Sequence, residues 1–236
     1  MKLSNIIGSG FIAKSFSHKN SFFKKKNCVL YAAGVSNSNN KNIKLFKKDL
    51  NRLKSSKEIV GKNKIIYISS CSVLDPSRKN SLYLKKKFQN EIFVKKNFDK
   101  YLIVRLPEII GKNKNKNTLV NYFYYNIKKN REINLYKNAK RNFIFIDDIV
   151  DILIELIKKK KSNNVINIAS SKMTQVHRFL LIFEKILNKK AKIYLKSKQN
   201  KEFKISINDI KKLKSFKKIK FDDNYLRKKL STYNKL

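Results

Sequence analysis

The sequence predicts an α/β fold, a doubly wound parallel sheet covered by helices on both faces, with a small lobe on its C-terminal side. Short apolar runs rich in β-branched residues alternate with longer helix-like stretches along the chain. The first such run ends in a glycine turn that opens a helix. At 236 residues, with no internal repeat or linker, the chain suits one domain, 1–236, with a lobe grown from its edge.

In order, strand-like runs at 3–7, 28–32, 65–69 and 101–105 alternate with helical stretches at 12–22, 43–60, 83–97 and 118–129. An amphipathic helix at 149–160, a strand at 165–169, a helix at 176–187 and a strand at 191–195 follow. The lobe is expected mainly from segments 112–140 and 165–236. Lysine- and asparagine-rich stretches at 24–27, 112–117 and 158–164 are short enough to be solvated loops or helix ends.

The formal charge of +41 would ordinarily point to a phosphate-bearing partner. Here the lysines are spread throughout and accompany an excess of asparagine (Asn37, Asn39, Asn40, Asn113, Asn115, Asn117) with few arginines. Arginine is the preferred residue for specific phosphate and base contacts. Codon drift toward A and T therefore explains the charge, and no specific nucleic-acid partner is expected. Tyr122-Phe123-Tyr124-Tyr125, the one dense aromatic cluster, wraps around a helix instead of lining a face.

Cys28 and Cys71 fall in what read as buried strands, so no disulfide framework is expected and the compartment is reducing. His18 and His177, without clustered cysteines or carboxylates, argue against a metal site. Segment 1–7 runs straight into the glycine loop, and no apolar run approaches the ~18 residues of a membrane helix. A soluble cytoplasmic protein is the expectation.

The loop Gly8-Ser9-Gly10-Phe11-Ile12-Ala13 has the strand-turn-helix context of a dinucleotide fingerprint, which makes the sheet Rossmann-type. Gly8 would make the tight turn, Gly10 would let backbone approach a pyrophosphate, and Ala13 would let helix and strand pack closely. The acidic residue that usually binds the adenosine ribose about 20 positions later is missing, since no Asp or Glu precedes Asp49. The next strand already looks like one that normally comes after two more, so two strands of the first half are read as deleted. That leaves the first strand at or near a sheet edge. Lys24, Lys25 or Lys26 near a ribose phosphate would tilt the choice between NAD and NADP toward NADP.

Beyond 65–69 come Ser70-Cys71-Ser72-Val73 and then Tyr83-Leu84-Lys85-Lys86-Lys87. Tyr83 and Lys87, four apart, share a helix face. A phenol with an ordinary pKa near ~10 is a poor base, and an adjacent ammonium stabilises its phenolate. A serine at the end of the neighbouring strand would hold the substrate oxygen for proton transfer.

These segments together resemble the extended short-chain dehydrogenase/reductase family, also called the NAD-dependent epimerase/dehydratase family. The resemblance runs from the glycine loop through Ala32-Ala33-Gly34, Ser69-Ser70-Cys71-Ser72-Val73, the Tyr83, Lys87 and Glu91 helix, and Arg105-Leu106-Pro107-Glu108. It continues through Arg141-Asn142-Phe143 and Val165-Ile166-Asn167 to segment 207–233. It implies Ser70, Tyr83 and Lys87 as catalytic residues, with Ser69 or Ser72 replacing Ser70 if the strand is shifted. Gly8, Gly10, Phe11, Ile12, Ala13, Ala33, Lys87 and Pro107 would contact NAD or NADP. Ser72, Glu108 and Arg141 would contact a nucleotide-sugar substrate. Glu108 stands where the family usually has an asparagine near the substrate phosphates, and a carboxylate there repels an anion unless a cation neutralises it. Glu91 reads as an ordinary helix-surface residue. Cys71 reads as a small buried hydrophobe, with a reactive thiol as the alternative.

The family's dehydratases usually carry an Asp-Glu pair after the catalytic hydroxyl, where this chain has Cys71-Ser72. What remains is 4-keto reduction or 4-epimerisation of a nucleotide sugar, with a lean to reduction, in surface polysaccharide precursor synthesis. A homodimer built on the Tyr83 helix and segment 43–60 is the family habit. The competing readings are a non-catalytic Rossmann-like binding protein with a degenerate cofactor site, and a nucleic-acid binder.

Overall fold

A computed structural model describes residues 4–78, 80–111, 113, 115, 118–197 and 203–232. Leu3, most of the 112–117 loop and Tyr233, named in the expectations above, lie outside these residues. The first half runs β1 (Ile6–Ile7), α1 (Phe11–Ser15), α2 (Asn20–Lys25), β2 (Cys28–Tyr31), α3 (Ile43–Val60), β3 (Lys64–Ser70), α4 (Leu82–Asn97) and β4 (Tyr101–Leu106). The second half runs β5 (Glu108–Ile110), α5 (Leu119–Lys128), β6 (Glu132–Tyr136), β7 (Lys140–Phe145), α6 (Ile146–Lys158), β8 (Asn164–Asn167), β9 (Met173–Gln175), α7 (His177–Leu187), β10 (Lys192–Lys196), α8 (Lys214–Lys217) and α9 (Asp223–Leu230).

The main sheet is parallel, in the order β1-β2-β3-β4-β8. Its register sets Ile6 against Leu30, Tyr31 against Tyr67, Ser70 against Leu106 and Arg105 against Asn167. Strands of such a sheet are covered on both faces and read as continuous apolar runs, as β2 and β3 do. Successive side chains go to opposite faces. Leu30, Ile66, Leu102 and Val104 pack with Phe16, Phe23, Leu153 and Leu156 on one side. Val29, Tyr31, Ile65, Tyr67 and Ile103 pack with Leu53, Val60 and Val94 of α3 and α4 on the other. Each fully buried side chain of this size contributes roughly 1.5–3 kcal/mol.

β1 stands at the sheet edge, where the reading of two deleted strands puts it. The stretch 12–22, expected as one helix, is broken into α1, a 3₁₀ turn at Ser17–Lys19, and α2. Ser15 Oγ bonds back to the Phe11 carbonyl at 2.9 Å and Ser17 Oγ to that of Lys14 at 2.8 Å, competing with the helical ladder. Cys71 lies past the end of β3 in a 3₁₀ turn, not in a strand, though it is buried as expected.

The tail does not all go to the lobe: β8 pairs with β4 and closes the main sheet, and Ile210, Leu213 and Phe216 join its core. A second core forms around Phe123, Tyr124, Ile133, Leu135, Phe179 and Phe183, with Leu226 and Leu230 of α9. It is framed by β6 paired with β10 and by β7 flanked by β5 and β9. β6 and β9 were not read from the sequence.

Candidate functional site

Ligands of parallel α/β sheets bind beyond the carboxyl ends of the strands, and there the loops after β1, β2, β3 and β4 carry most of the expected site residues. Gly8 has φ +134°, and a Cβ on it would stand 2.6 Å from the Ala32 carbonyl oxygen, so the first turn admits only glycine. Gly10, in contrast, has φ −79° and caps α1, and its Cβ would meet nothing within 4 Å. Backbone is thus open to a ligand at Gly10, beside first-turn amides that lack intrahelical partners. Ala13 is buried, while Phe11 and Ile12 are half-buried against the main core. A Cβ on Gly111 would lie 2.4 Å from the Phe11 ring, so that glycine seats the aromatic side chain. This loop fits a pyrophosphate. On the adenosine side the expected carboxylate is absent and Lys24, Lys25 and Lys26 are exposed.

Three serines compete at the end of β3, and the structure separates them. Ser69 Oγ donates to Glu91 Oε1 at 2.5 Å and is buried. Ser70 Oγ accepts from the Ser72 amide at 3.2 Å, and of the three serines its hydroxyl is the one that acts on the Tyr83 phenol. Ser72 is half-buried in the turn. Ser70 is therefore the serine that meets Tyr83. Burial pushes the Tyr83 phenol up to about 12, against the Ser70 hydrogen bond and the positive charge of Arg78.

Lys87 is 6% exposed, with Nζ 3.5 Å from the Ile68 carbonyl, 5.9 Å from the Tyr83 ring centre and 5.6 Å from that of Tyr67. The ammonium thus lies beneath the face of the phenol ring, and no hydrogen bond joins the two side chains among the described residues. Burial lowers the pKa of Lys87, against the negative charges of Asp49 and Glu91.

Glu91 is not a surface residue. It is fully buried and takes a two-pronged contact from Arg105, Nε at 3.0 Å and Nη2 at 2.6 Å. A bidentate arginine–carboxylate pair of this kind fixes the end of β4 against α4. Burial raises the pKa of half-buried Glu108, against a hydrogen bond from the Leu119 amide and the charges of Arg141 and Arg78. The charges of the two arginines act on this carboxylate, but burial outweighs them. Arg141 is otherwise exposed, with Nη1 on the Lys140 carbonyl at 2.9 Å. Pro107 is half-buried between β4 and β5.

Cys71 is 1% exposed, its thiol donates to the Arg105 carbonyl at 3.3 Å, and burial pushes it up to about 12. This is the small-hydrophobe reading. The residues missed from the sequence are Arg78, Asp49, Asn90 and the Glu91–Arg105 pair. Of these, Asp49 had a signal, since it shares the spacing of Phe46, Leu53 and Val60 on the buried face of α3.

The model of the NAD dependent epimerase/dehydratase family matches residues 22–169, more than half of the chain. The chain belongs to that family. A curated relative, an uncharacterized protein of Methanocaldococcus jannaschii, is 31% identical over 147 residues, covering 55% of this chain and 45% of the relative. The match thus spans a little under half of that protein's length. Among solved structures the family fold is evident. UDP-glucuronic acid 4-epimerase from Bacillus cereus, solved with UDP-glucuronic acid and NAD, superposes with a TM-score of 0.72 at 16% identity, over 91% of this chain and 77% of that one. UDP-N-acetylglucosamine 4-epimerase from Methanobrevibacter ruminantium, with UDP-N-acetylmuramic acid, gives 0.71 at 19% identity over 91% and 77%. RMD from Pseudomonas aeruginosa, with NADPH, gives 0.71 at 14% identity over 89% and 82%. Among the described residues no group of side chains is set to hold a metal ion, and no helix is long and apolar enough to cross a membrane.

Proposed function

We propose that this family member binds NAD or NADP and reduces, or epimerises through a transient ketone, the 4-position of a nucleotide-linked sugar, with Ser70, Tyr83 and Lys87 as catalytic residues. The observation that carries the reading is the meeting of Tyr83 with Ser70 above buried Lys87, at the sheet end that also bears the open Gly10 turn. A nicotinamide held by these residues would supply or accept the hydride. A phenol pushed up to about 12 is protonated at neutral pH, the state from which it can give a proton to a ketone oxygen. The short cofactor half, ill suited to holding NAD permanently, leans the reading to reduction. Ser70, whose hydroxyl acts on the phenol, would hold the sugar oxygen in line, while Lys87 provides the buried positive charge beneath it. Ser72, Glu108 and Arg141 would meet the nucleotide sugar, with Arg141 and Arg78 on its diphosphate. Gly8, Gly10, Phe11, Ile12, Ala13, Ala33 and Pro107 would line the dinucleotide.

The nucleotide sugars and dinucleotides of the solved neighbours support this substrate and cofactor class, and the lack of a ribose carboxylate favours NADP. Surface polysaccharide precursor synthesis in the cytoplasm is the expected setting. Exposed Leu45 and Ile59 on α3 and Phe88 and Ile92 on the adjacent α4 support a homodimer through these helices. The test is oxidation of NADPH followed at 340 nm with a panel of 4-keto nucleotide sugars. Tyr83→Phe should lower turnover by about 100-fold or more while dinucleotide affinity stays within a few-fold. Equal turnover in Tyr83→Phe and the wild type would remove Tyr83 from the chemistry.

A further inference from the structure

Asp49 carries a buried carboxylate that the reaction above leaves unexplained. It lies on the inward face of α3 and is 4% exposed, in a chain whose acids are outnumbered 57 to 16 by lysine and arginine. Its oxygens accept from Tyr31 Oη at 3.2 Å, from the Val35 amide at 3.4 Å and from Asn90 Nδ2 at 3.4 Å. All three bonds are long. Charge-assisted bonds to a carboxylate normally fall near 2.7–2.9 Å, so these neutral donors only partly offset the desolvation of an ionised group.

The compensating charge faces it across Gly34. A Cβ on Gly34 would stand 2.5 Å from Lys87 Nζ and 3.4 Å from Asp49 Oδ2. The ammonium and the carboxylate thus converge on one bare Cα and lie no more than about 6 Å apart, a range at which opposite charges hold each other ionised. Glu91, the second acid near Lys87, is committed to Arg105 and Ser69. Tyr67 from β3 and Tyr83 from α4 present rings to the ammonium, and Tyr31 from β2 donates to Asp49. Arg52, on the rim of α3, is exposed and turns to the Ala33 carbonyl at 3.0 Å.

We propose that Asp49 is the buried counter-ion of Lys87, a positioning residue that keeps the ammonium charged and seated beneath Tyr83, with Gly34 as the gap that lets the two groups face each other. Its bearing on chemistry rests on the function proposed above; the pairing itself does not. A carboxylate serving only Tyr31, Val35 and Asn90 would be indifferent to the charge at position 87. A counter-ion is not, because removing one member strands the other, whereas removing both does not.

The experiment is a thermal-unfolding cycle of wild type, Asp49→Asn, Lys87→Met and the double variant, joined to dinucleotide titrations from pH 6 to 9. Each single variant should unfold below wild type, and the double variant at least about 5 °C above the additive expectation. Additive losses would overturn the pairing. Should Asp49→Asn not fold, the double variant decides: it should fold and unfold no lower than Lys87→Met, and a double variant that also fails to fold overturns the pairing. In the titrations, loss of the carboxylate lets Lys87 shed its proton at lower pH. Asp49→Asn should therefore bind nearly as wild type at pH 6 and fall progressively below it, by about tenfold, toward pH 9. A loss equal at every pH would leave Asp49 a purely structural group. If wild type binds no dinucleotide, the proposed function fails, and the unfolding cycle still decides the counter-ion.

Discussion

The two glycines of the first turn should fail in different ways when replaced. Gly8→Ala places a methyl group 2.6 Å from the Ala32 carbonyl oxygen and 2.8 Å from its carbon, at φ +134°. Those atoms are backbone and cannot rotate aside. The conformational strain of about 1–3 kcal/mol and an overpacking cost of similar size sum to roughly 3 kcal/mol. For a chain of this length that lowers the unfolding temperature by about 6–12 °C. Gly10→Asp puts its side chain into open space at φ −79° and ψ −176°, the extended backbone of a helix N-cap, where aspartate is among the preferred residues. Its stability should stay within about 1 kcal/mol of wild type. The new carboxylate would nevertheless face the pyrophosphate. At an effective dielectric of about 20, two such charges ~4 Å apart repel by about 4 kcal/mol, so affinity should fall by at least about 100-fold. Circular-dichroism melts and NADPH fluorescence titrations read the two effects separately. A folded Gly10→Asp protein with unchanged affinity would refute the assignment of Gly10 to the ligand. A melt depressed as far as that of Gly8→Ala would refute the reading of Gly10 as sterically open.

Burial raises the pKa of Glu108 above its usual 4.5. Below that pH the side chain is neutral in both folded and unfolded chains, and above it the folded state must ionise a desolvated group. Glu108→Gln should therefore match wild type in melts at pH 4 and exceed it increasingly toward pH 7; a gap that is largest at pH 4 contradicts the sign. Cys71→Ala should keep full turnover at pH 7, since its thiol is held up to about 12 and buried, and a loss of 100-fold would revive thiol chemistry. Phe88→Glu, on an exposed face, should convert a dimer to a monomer in light scattering without changing the melt by more than about 2 °C. An unchanged mass would remove α4 from the interface.

Apolar periodicity and glycine placement were enough to read α3 and the alternation of helices and strands. Residues 43–60 form one helix because Phe46, Leu53 and Val60 repeat on a face that the sheet covers, and because Gly61, at φ +50°, ends it. The site is legible where covalent spacing dictates it: four residues put Tyr83 and Lys87 on one face. Tertiary contacts decide the rest. The inward face of α4 carries Tyr83, Lys87, Asn90 and Glu91, so hydropathy assigns Glu91 to solvent although Arg105, from another strand, takes it inside. Choosing Ser70 over Ser69 needed the same partner, because Ser69 is drawn to Glu91. Local serine bonds to the backbone interrupt the first helix at a point the apolar pattern continues through. β6 alternates buried Ile133 and Leu135 with exposed neighbours, and its five residues among lysines and asparagines were too few to separate from a loop.

The account rests on a dinucleotide at the Gly10 turn, and direct titration of NADPH and NADH into the purified wild-type protein at moderate salt tests it. Saturable binding at micromolar cofactor, tighter for NADPH, is the predicted result. No binding at millimolar concentrations of either would contradict the enzyme reading and leave a Rossmann-like protein with a degenerate cofactor site.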